Sequence, residues 1–265
     1  MRFRDALLVG YSAGAYLVFL AAIAYGVGFL GEFGVPTTVD AGVEAAPVVA
    51  LVVDAALLSV FAVQHSLMAR DFFKRRWTRV VPEAAERSTY VLFSSLALLL
   101  VFWQWRPVGV TLWRFESLPL VAAAYALFAL GWLVALVATF DIDHASLFGL
   151  RQAWRSARGE GMPDPEFQTP GLYRYVRHPL MTGLLLAFWA TPHMTVGHLL
   201  LAGGSTGYVL VGVWLEERDL VDEHGVAYER YRESVPMLVP RPFRGPYRVS
   251  DETESQLYGI VDEVT

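Results

Sequence analysis

Hydrophobic residues occur along the chain in six blocks that polar and charged segments separate. The four long blocks run from Ala6 to Leu30, Pro47 to Ala69, Ser88 to Trp105 and Leu118 to Phe140. Each is close to the roughly 20 residues that a helix needs to cross about 30 Å of hydrocarbon. Two shorter blocks, Pro179 to Thr191 and Gly197 to Leu215, flank Pro192, which disfavours a continuous helix. The pattern predicts an all-α, polytopic membrane bundle of five to six transmembrane helices. It also predicts a C-terminal helical hairpin and leaves open whether that hairpin crosses the membrane completely.

Basic residues are concentrated in alternate connections between these blocks. Six lie between the second and third blocks, and five lie between the fourth and fifth. The connection from Gly31 to Ala46 has no basic residue but holds Glu32, Asp40 and Glu44. Connections rich in lysine and arginine stay on the cytoplasmic side of a membrane. We therefore expect a multi-pass protein of the cytoplasmic (inner) membrane with both termini in the cytoplasm.

The composition supports a membrane protein and excludes several classes of function. The chain is 55% hydrophobic, with a mean hydropathy of +0.40. It has no cysteine, which excludes disulfides, zinc-thiolate sites and thiol nucleophiles, and we expect no metal site. A net charge of -5 without a basic patch argues against a nucleic-acid partner. We expect one membrane-embedded unit over residues 1–243, followed by an acidic, mobile tail over 244–265.

Charged residues bracket the C-terminal hairpin. Arg177 and His178 precede Pro179, which suits the first turn of a helix, and helix N-termini favour anions. Glu216 and Glu217 end the returning block. Arginine at such a position also commonly reaches to lipid phosphates, and the glutamates could simply pair with Arg218 or cap the helix that follows. A ligand-binding role and a structural role therefore both stay open. Their shared position favours a ligand with anionic and cationic parts.

The predicted topology brings a second group of polar residues to the same membrane boundary. The second block ends at Gln64 and His65, and the loop from Asp141 to Val176 contains His144. Asp54 lies eleven residues before His65, almost three helical turns, so both share nearly one helix face. A carboxylate within a membrane helix is a functional candidate, although a paired structural role is equally consistent with the sequence.

Several motifs resemble one enzyme superfamily. The first runs from Tyr173 to Leu180 and is followed by Gly183, the run from Glu216 to Leu220, and the run from Tyr228 to Tyr231. This pattern resembles the C-terminal signature of the isoprenylcysteine carboxyl methyltransferase and phospholipid methyltransferase superfamily. Four further segments, 64–70, 86–90, 102–107 and 147–152, are similar to its NnrU-like branch, which includes methanethiol S-methyltransferases. The resemblance covers most of the chain.

The resemblance implies S-adenosyl-L-methionine as cofactor, bound without a Rossmann domain. It implies that the residues of the hairpin bracket hold this cofactor and that two tyrosines help to cover it. These residues are Arg177, His178, Pro179, Gly183, Glu216, Glu217, Tyr228 and Tyr231. The chain departs from the superfamily pattern at Met181, where a tyrosine is usual. Methionine cannot donate the hydrogen bond of that hydroxyl.

The implied activity is methyl transfer to the sulfur of a small thiol, with methanethiol becoming dimethyl sulfide. A thiol needs a base near neutral pH, and we assign that role to His65, because histidine titrates in this range. Gln64 or His144 would orient the substrate or the base, and Asp54 is a further proton acceptor. Two alternatives remain: a methyltransferase for a lipid or prenylated thiol or carboxylate, and a non-catalytic NnrU-type membrane accessory protein. The sequence leaves the oligomeric state open.

Overall fold

A bundle of α-helices forms the protein in the computed structural model, which describes residues 3–163, 167–241 and 245–247. The helices are α1 (Phe3–Gly31), α2 (Pro47–Ala69), α3 (Asp71–Trp77), α4 (Glu83–Gln104), α5 (Leu118–Ile142), α6 (His144–Leu147), α7 (Leu150–Ala157), α8 (Pro179–Trp189), α9 (Val196–His224) and α10 (Val226–Ser234). Five of them, α1, α2, α4, α5 and α9, are long and apolar enough to cross a membrane. The predicted helical membrane bundle is therefore confirmed. The bounds of α2 coincide with those of the second hydrophobic block.

Apolar side chains fill the bundle and also cover its outside. Phe29, Phe102, Trp105 and Leu201, from three helices and the segment after α4, belong to one buried cluster. Many large apolar side chains point outward, and those of Val52, Leu133 and Trp214 are more than half exposed. Such a surface is unfavourable in water and suits lipid.

The C-terminal hairpin extends to the far end of the bundle. Its first helix, α8, has 11 residues and is roughly 16 Å long, too short to cross alone. The chain continues into strand β2 (His193–Thr195), which pairs antiparallel with β1 (Thr111–Arg114) between α4 and α5. The Thr195 hydroxyl also donates to Asp40, in the connection between α1 and α2, over 2.6 Å. The hairpin therefore reaches the end opposite its own start, which the sequence had left open.

Two glycines allow α5 and α8 to pack with their backbones in contact. A Cβ atom added at Gly131 would lie 2.6 Å from the backbone nitrogen of Ala187, and one added at Gly183 would lie 2.5 Å from that of Ala135. Each glycine is thus followed four residues later by an alanine that faces the partner helix. This is the small-residue spacing that brings membrane helices close together. Gly183, which was predicted to contact the cofactor, faces α5 on the side where a Cβ atom would lie.

We expect Gly183→Ala to destabilise the bundle, because the new methyl group would meet backbone atoms that cannot move aside alone. Overpacking of this kind costs about 1–3 kcal/mol. The midpoint of thermal unfolding in detergent should fall. Gly203→Ala is the matched control, because Gly203 also lies in a membrane helix but has no atom within 4 Å of an added Cβ. Equal midpoints for the two variants would contradict the close crossing.

The segment after α10 packs back onto the start of the hairpin. The backbone nitrogen of Tyr247 donates to the carbonyl of Arg174 over 3.0 Å, and the Tyr247 ring lies 5.4 Å from that of Tyr231. Of the predicted acidic tail, residues 245–247 alone are described. The prediction for the rest of 244–265 lies outside the described residues.

Candidate active site

Backbone hydrogen bonds fix the position of Arg177 and His178 at the start of α8. The amide of Arg177 donates to the carbonyl of Pro236 over 2.9 Å, and that of His178 donates to Met237 over 3.1 Å. The helix then begins at Pro179, as predicted, because its first turn does not need the N–H that proline lacks. The segment after α10 therefore holds the backbone of both residues in place.

The side chains of Arg177 and His178 converge on one carboxylate. Arg177 Nε donates to Glu217 Oε1 over 2.6 Å, and His178 Nε2 lies 3.1 Å from the same oxygen. Arg177 Nη1 also donates to the carbonyls of Arg232 and Val235. Only 11% of the Glu217 side chain is exposed. A buried carboxylate of this kind is stable when its hydrogen-bonding partners remain in place.

Glu216 is the open member of the same group. Its Oε2 lies 3.6 Å from His178 Nδ1, so His178 stands between two carboxylates. In contrast to Glu217, the Glu216 side chain is 54% exposed. The structure thus combines one carboxylate that orders Arg177 and His178 with another that is accessible to a cationic ligand.

Aromatic residues of α10 pack beside this group. Tyr228 and Tyr231 are buried, with their rings 5.8 Å apart and Phe167 against both. The Tyr231 hydroxyl donates to the carbonyl of Tyr173 over 2.6 Å. Burial raises the pKa of all three tyrosines, and the nearby glutamates raise the pKa of Tyr228 and Tyr173 further. These hydroxyls stay protonated and can donate hydrogen bonds.

His65 belongs to a second polar group, formed by α2, α4 and α9. Its Nε2 lies 2.7 Å from the Tyr90 hydroxyl, and its Nδ1 lies 3.1 Å from the hydroxyl of Ser94. Phe61 stacks on the imidazole at 5.2 Å, and the Tyr208 ring lies 6.2 Å away. Both ring nitrogens thus have hydroxyl partners, while the ring faces are apolar.

Gln64 extends the His65 group and carries an unsatisfied acceptor. Its Nε2 donates to the sulfur of Met68 over 3.1 Å and to Ser94 over 3.5 Å. Its Oε1 is buried and receives no hydrogen bond from the described residues. A buried acceptor without a donor is costly, and a ligand can supply the donor.

The structure does not bring Asp54 or His144 into contact with His65. Asp54 is fully buried, and its Oδ1 accepts from the backbone amide of Arg106 over 2.9 Å, just beyond α4. It lies roughly 16 Å before His65 along α2. His144 uses its two ring nitrogens on Tyr16 and Thr139, and its burial lowers its pKa. Asp54 is thus paired with the backbone that follows α4, as a structural carboxylate would be.

Both polar groups include residues of α9. Tyr208 contacts the His65 group, and its hydroxyl accepts from Ser66 over 3.2 Å. Glu216 and Glu217 follow eight and nine residues later on the same helix. This separation corresponds to roughly 12–14 Å along the helix axis. The Arg177–Glu217 group and the His65 group are therefore neighbours along one helix, without a direct contact among the described residues.

Sequence reasoning missed the residues that surround His65. Tyr90 lies in one of the segments that carry the family resemblance, so a signal was present, but its contact with α2 was not predictable. Ser94 and Tyr208 gave no comparable signal. Asp141 was missed as well: its carboxylate accepts from the amide of Leu172 over 2.8 Å and so holds the short 3-10 helix Gly171–Arg174 that leads to Arg177.

Comparisons with known proteins identify relatives over most of the chain. The family model described as NnrU protein matches residues 55–240. A methanethiol S-methyltransferase of Mycobacterium tuberculosis is 52% identical over 238 residues, which cover 90% of this chain and 98% of the relative. One of Crocosphaera subtropica is 51% identical over 230 residues, 87% of this chain and 90% of the relative. Nurim of Mus musculus is 34% identical over 176 residues, 63% of this chain and 66% of the relative.

No solved structure matches the chain. The family match runs from within α2 to the segment after α10, and it includes both polar groups. Because this match covers well over half of the sequence, the chain belongs to the NnrU family.

Proposed function

We propose that this protein transfers a methyl group from S-adenosylmethionine to the sulfur of methanethiol and so forms dimethyl sulfide. One observation carries the proposal. Two relatives that bear the name methanethiol S-methyltransferase are identical to this chain at about half of the aligned positions, over 90% or more of their own length. The two polar groups along α9 supply the side chains that such a reaction needs.

The first group fits the chemistry of the cofactor. The amino-acid end of S-adenosylmethionine carries a carboxylate and an ammonium. Arg177 provides the cation for the carboxylate, and the half-exposed Glu216 provides an accessible anion for the ammonium. Glu217 holds Arg177 and His178 in place through its two contacts. When bound, the cofactor supplies a methyl group activated by a sulfonium sulfur.

The buried tyrosines limit the entry of water beside the first group. Tyr228 and Tyr231 pack with Phe167 and carry protonated hydroxyls. Attack of a thiolate on a sulfonium neutralises two charges, and water stabilises the separated charges more than the transition state. Exclusion of water therefore favours the reaction.

The second group provides the acceptors for a thiol. The unsatisfied Gln64 Oε1 can accept the S–H group and so orient the substrate. The thiol proton then passes to the Tyr90 oxygen while the Tyr90 proton moves to His65 Nε2, its partner at 2.7 Å. Ser94 accepts from Nδ1–H, which selects the tautomer with a free Nε2 lone pair. In this scheme His65 is the base, as the sequence predicts, and Tyr90 delivers the proton.

We place the protein in the cytoplasmic membrane with both termini inside, as one unit over residues 1–243. The asymmetric distribution of basic residues supports this orientation. It puts Arg177 and Glu217 at the cytoplasmic boundary, where S-adenosylmethionine is available. A small volatile thiol can reach His65 through the apolar surroundings of Phe61.

Volatile products make the proposal testable in cells. Cells that express the chain and receive methanethiol should release dimethyl sulfide into the headspace, as measured by gas chromatography. Cells expressing Glu217→Gln at an equal level are the control and should release only background amounts. If the purified chain binds S-adenosylmethionine by calorimetry but no dimethyl sulfide forms, the substrate is a lipid or prenylated group instead. If no cofactor binds, the non-catalytic alternative is favoured.

A further inference from the structure

Three side chains from two connections between helices meet at the end of the bundle opposite Arg177. Glu32 follows α1, Asp40 lies in the connection to α2, and His193 belongs to β2. One nitrogen or oxygen atom from each lies within 4.8 Å of the others. His193 Nδ1 is 3.3 Å from Asp40 Oδ2. The site lies roughly 30 Å along α9 from Glu217, so it is separate from the proposed catalytic groups.

Asp40 is held with one oxygen directed toward this meeting point. Its Oδ1 accepts from the Thr195 hydroxyl over 2.6 Å, and its backbone amide donates to Thr38 over 3.3 Å. Its side chain is only 11% exposed. Oδ2 is buried and receives no hydrogen bond from any described residue. The polar atom that faces it is His193 Nδ1, at 3.3 Å.

His193 is placed where a ring nitrogen can act as a metal ligand. Its Nε2 lies 3.0 Å from the hydroxyl of Thr111, on the paired strand β1. In the tautomer that donates Nε2–H to Thr111, the Nδ1 lone pair faces Asp40 Oδ2. Metal-binding histidines commonly donate their other ring N–H to a fixed acceptor in this way. A proton or a metal ion between two such acceptor atoms removes their repulsion.

Glu32 completes the group at the cost of backbone strain. With a φ of 60°, it is the one non-glycine residue in the left-handed region among the residues that the structure describes. Such strain persists where other interactions maintain it, often at functional sites. Two ionised carboxylates this close repel each other, which a proton on one of them or a bound cation relieves. No arginine or lysine nitrogen of the described residues lies within 4.0 Å of either carboxylate, although Arg114 lies opposite His193 on β1.

We propose that Glu32, Asp40 and His193 bind one divalent transition-metal ion, of the class of zinc or manganese. Two carboxylate oxygens and one imidazole nitrogen form a ligand set that such ions accept, with water completing the coordination. The ion neutralises the paired carboxylates and binds Asp40 Oδ2 together with His193 Nδ1.

The bound ion would join the hairpin tip to the α1–α2 connection. That connection is already anchored, because the amide of Val39 donates to Phe29 over 3.1 Å and Trp105 Nε1 donates to the carbonyl of Val39 over 3.0 Å. His193 adds the turn between α8 and α9 to this framework. The ion therefore stabilises the packing of the hairpin and takes no part in methyl transfer.

The test uses the full chain in detergent, with any histidine tag removed because a tag itself binds zinc. Protein treated with EDTA and desalted is loaded with zinc or manganese chloride, and bound metal is measured by mass spectrometry after a second desalting. We expect one ion per chain and a higher midpoint of thermal unfolding. Wild-type protein that retains no stoichiometric metal, or whose midpoint does not change, would overturn the proposal.

Three variants test the ligands. His193→Gln, Asp40→Asn and Glu32→Gln should lose stoichiometric binding and the metal-dependent rise in midpoint. Glu44→Gln, an exposed acidic residue of the same connection, is the matched control and should keep both. Binding that survives in His193→Gln, or that calcium supports equally well, would overturn the assigned ligand set. The wild-type measurement remains decisive if a variant fails to fold.

Discussion

Replacing Glu217 by glutamine is expected to weaken S-adenosylmethionine binding by about 100-fold or more. The carboxylate accepts from Arg177 at 2.6 Å and lies 3.1 Å from His178, in a buried position. Breaking a buried ion pair by removing one partner costs about 3–5 kcal/mol of folding stability, and the part of that cost that the cofactor must meet to re-order Arg177 appears as lost affinity, at about 1.4 kcal/mol for each tenfold. Without the carboxylate, Arg177 is no longer held where it can meet an anionic ligand group. Isothermal titration calorimetry on purified protein measures the loss.

Glu223→Gln is the matched control for this variant. Glu223 lies on the same helix two turns later but is exposed to solvent. The same neutralisation there should leave the affinity unchanged. If Glu217→Gln binds the cofactor as tightly as Glu223→Gln does, the Arg177–Glu217 group does not form the cofactor site.

Replacing His65 by asparagine is expected to lower turnover at neutral pH while leaving cofactor binding intact. Loss of a positioned base typically costs about 10²–10⁴-fold in rate. Asparagine cannot take the proton that Tyr90 delivers to Nε2. At alkaline pH the thiol ionises without help, so the deficit should become smaller. Initial rates of dimethyl sulfide formation as a function of pH measure both effects.

Tyr90→Phe and Ser59→Ala complete the His65 experiment. Tyr90→Phe removes the hydroxyl at 2.7 Å from His65 and should reproduce the loss at neutral pH. Ser59→Ala is the control in α2, the helix of His65, because Ser59 is exposed and the partner of its hydroxyl among the described residues is the carbonyl of Ala55. Full turnover of His65→Asn at neutral pH would show that another group is the base.

The long helices and the convergence of Arg177 with Glu217 could be predicted from the sequence. Hydrophobic blocks of membrane length are a strong signal, because backbone polar groups must be satisfied within the lipid. The basic connections predict that both ends of the hairpin lie at the cytoplasmic boundary of the membrane. The charged residues at these ends, Arg177 and Glu217 among them, were therefore expected to lie close together. The contact between Arg177 and Glu217 agrees with that expectation.

Helical periodicity did not predict the partners of Asp54. Eleven residues place Asp54 and His65 on one face, but they are also separated by roughly 16 Å of helix rise. Asp54 therefore meets the chain beyond α4, at Arg106, rather than the His65 group. A shared helical face fixes the direction in which two side chains point. Their depth in the bundle and the neighbouring helix decide which residues they contact.

The β1–β2 pairing and the group of Glu32, Asp40 and His193 were not predicted. Asp40 and His193 are more than 150 residues apart and belong to no short motif. They meet because the hairpin reaches the far end of the bundle, which the length of α8 alone did not indicate. His144 contacts Tyr16 of α1, a neighbour that the sequence did not indicate.

The most direct test of the methyltransferase proposal follows the methyl group itself. The purified chain is incubated in detergent with methanethiol and S-adenosylmethionine whose transferable methyl group is fully deuterated, and the headspace is examined by mass spectrometry. We predict dimethyl sulfide that carries one deuterated and one ordinary methyl group, and none from Glu217→Gln. Folded wild-type protein that binds the cofactor but forms no labelled dimethyl sulfide would contradict the proposed function.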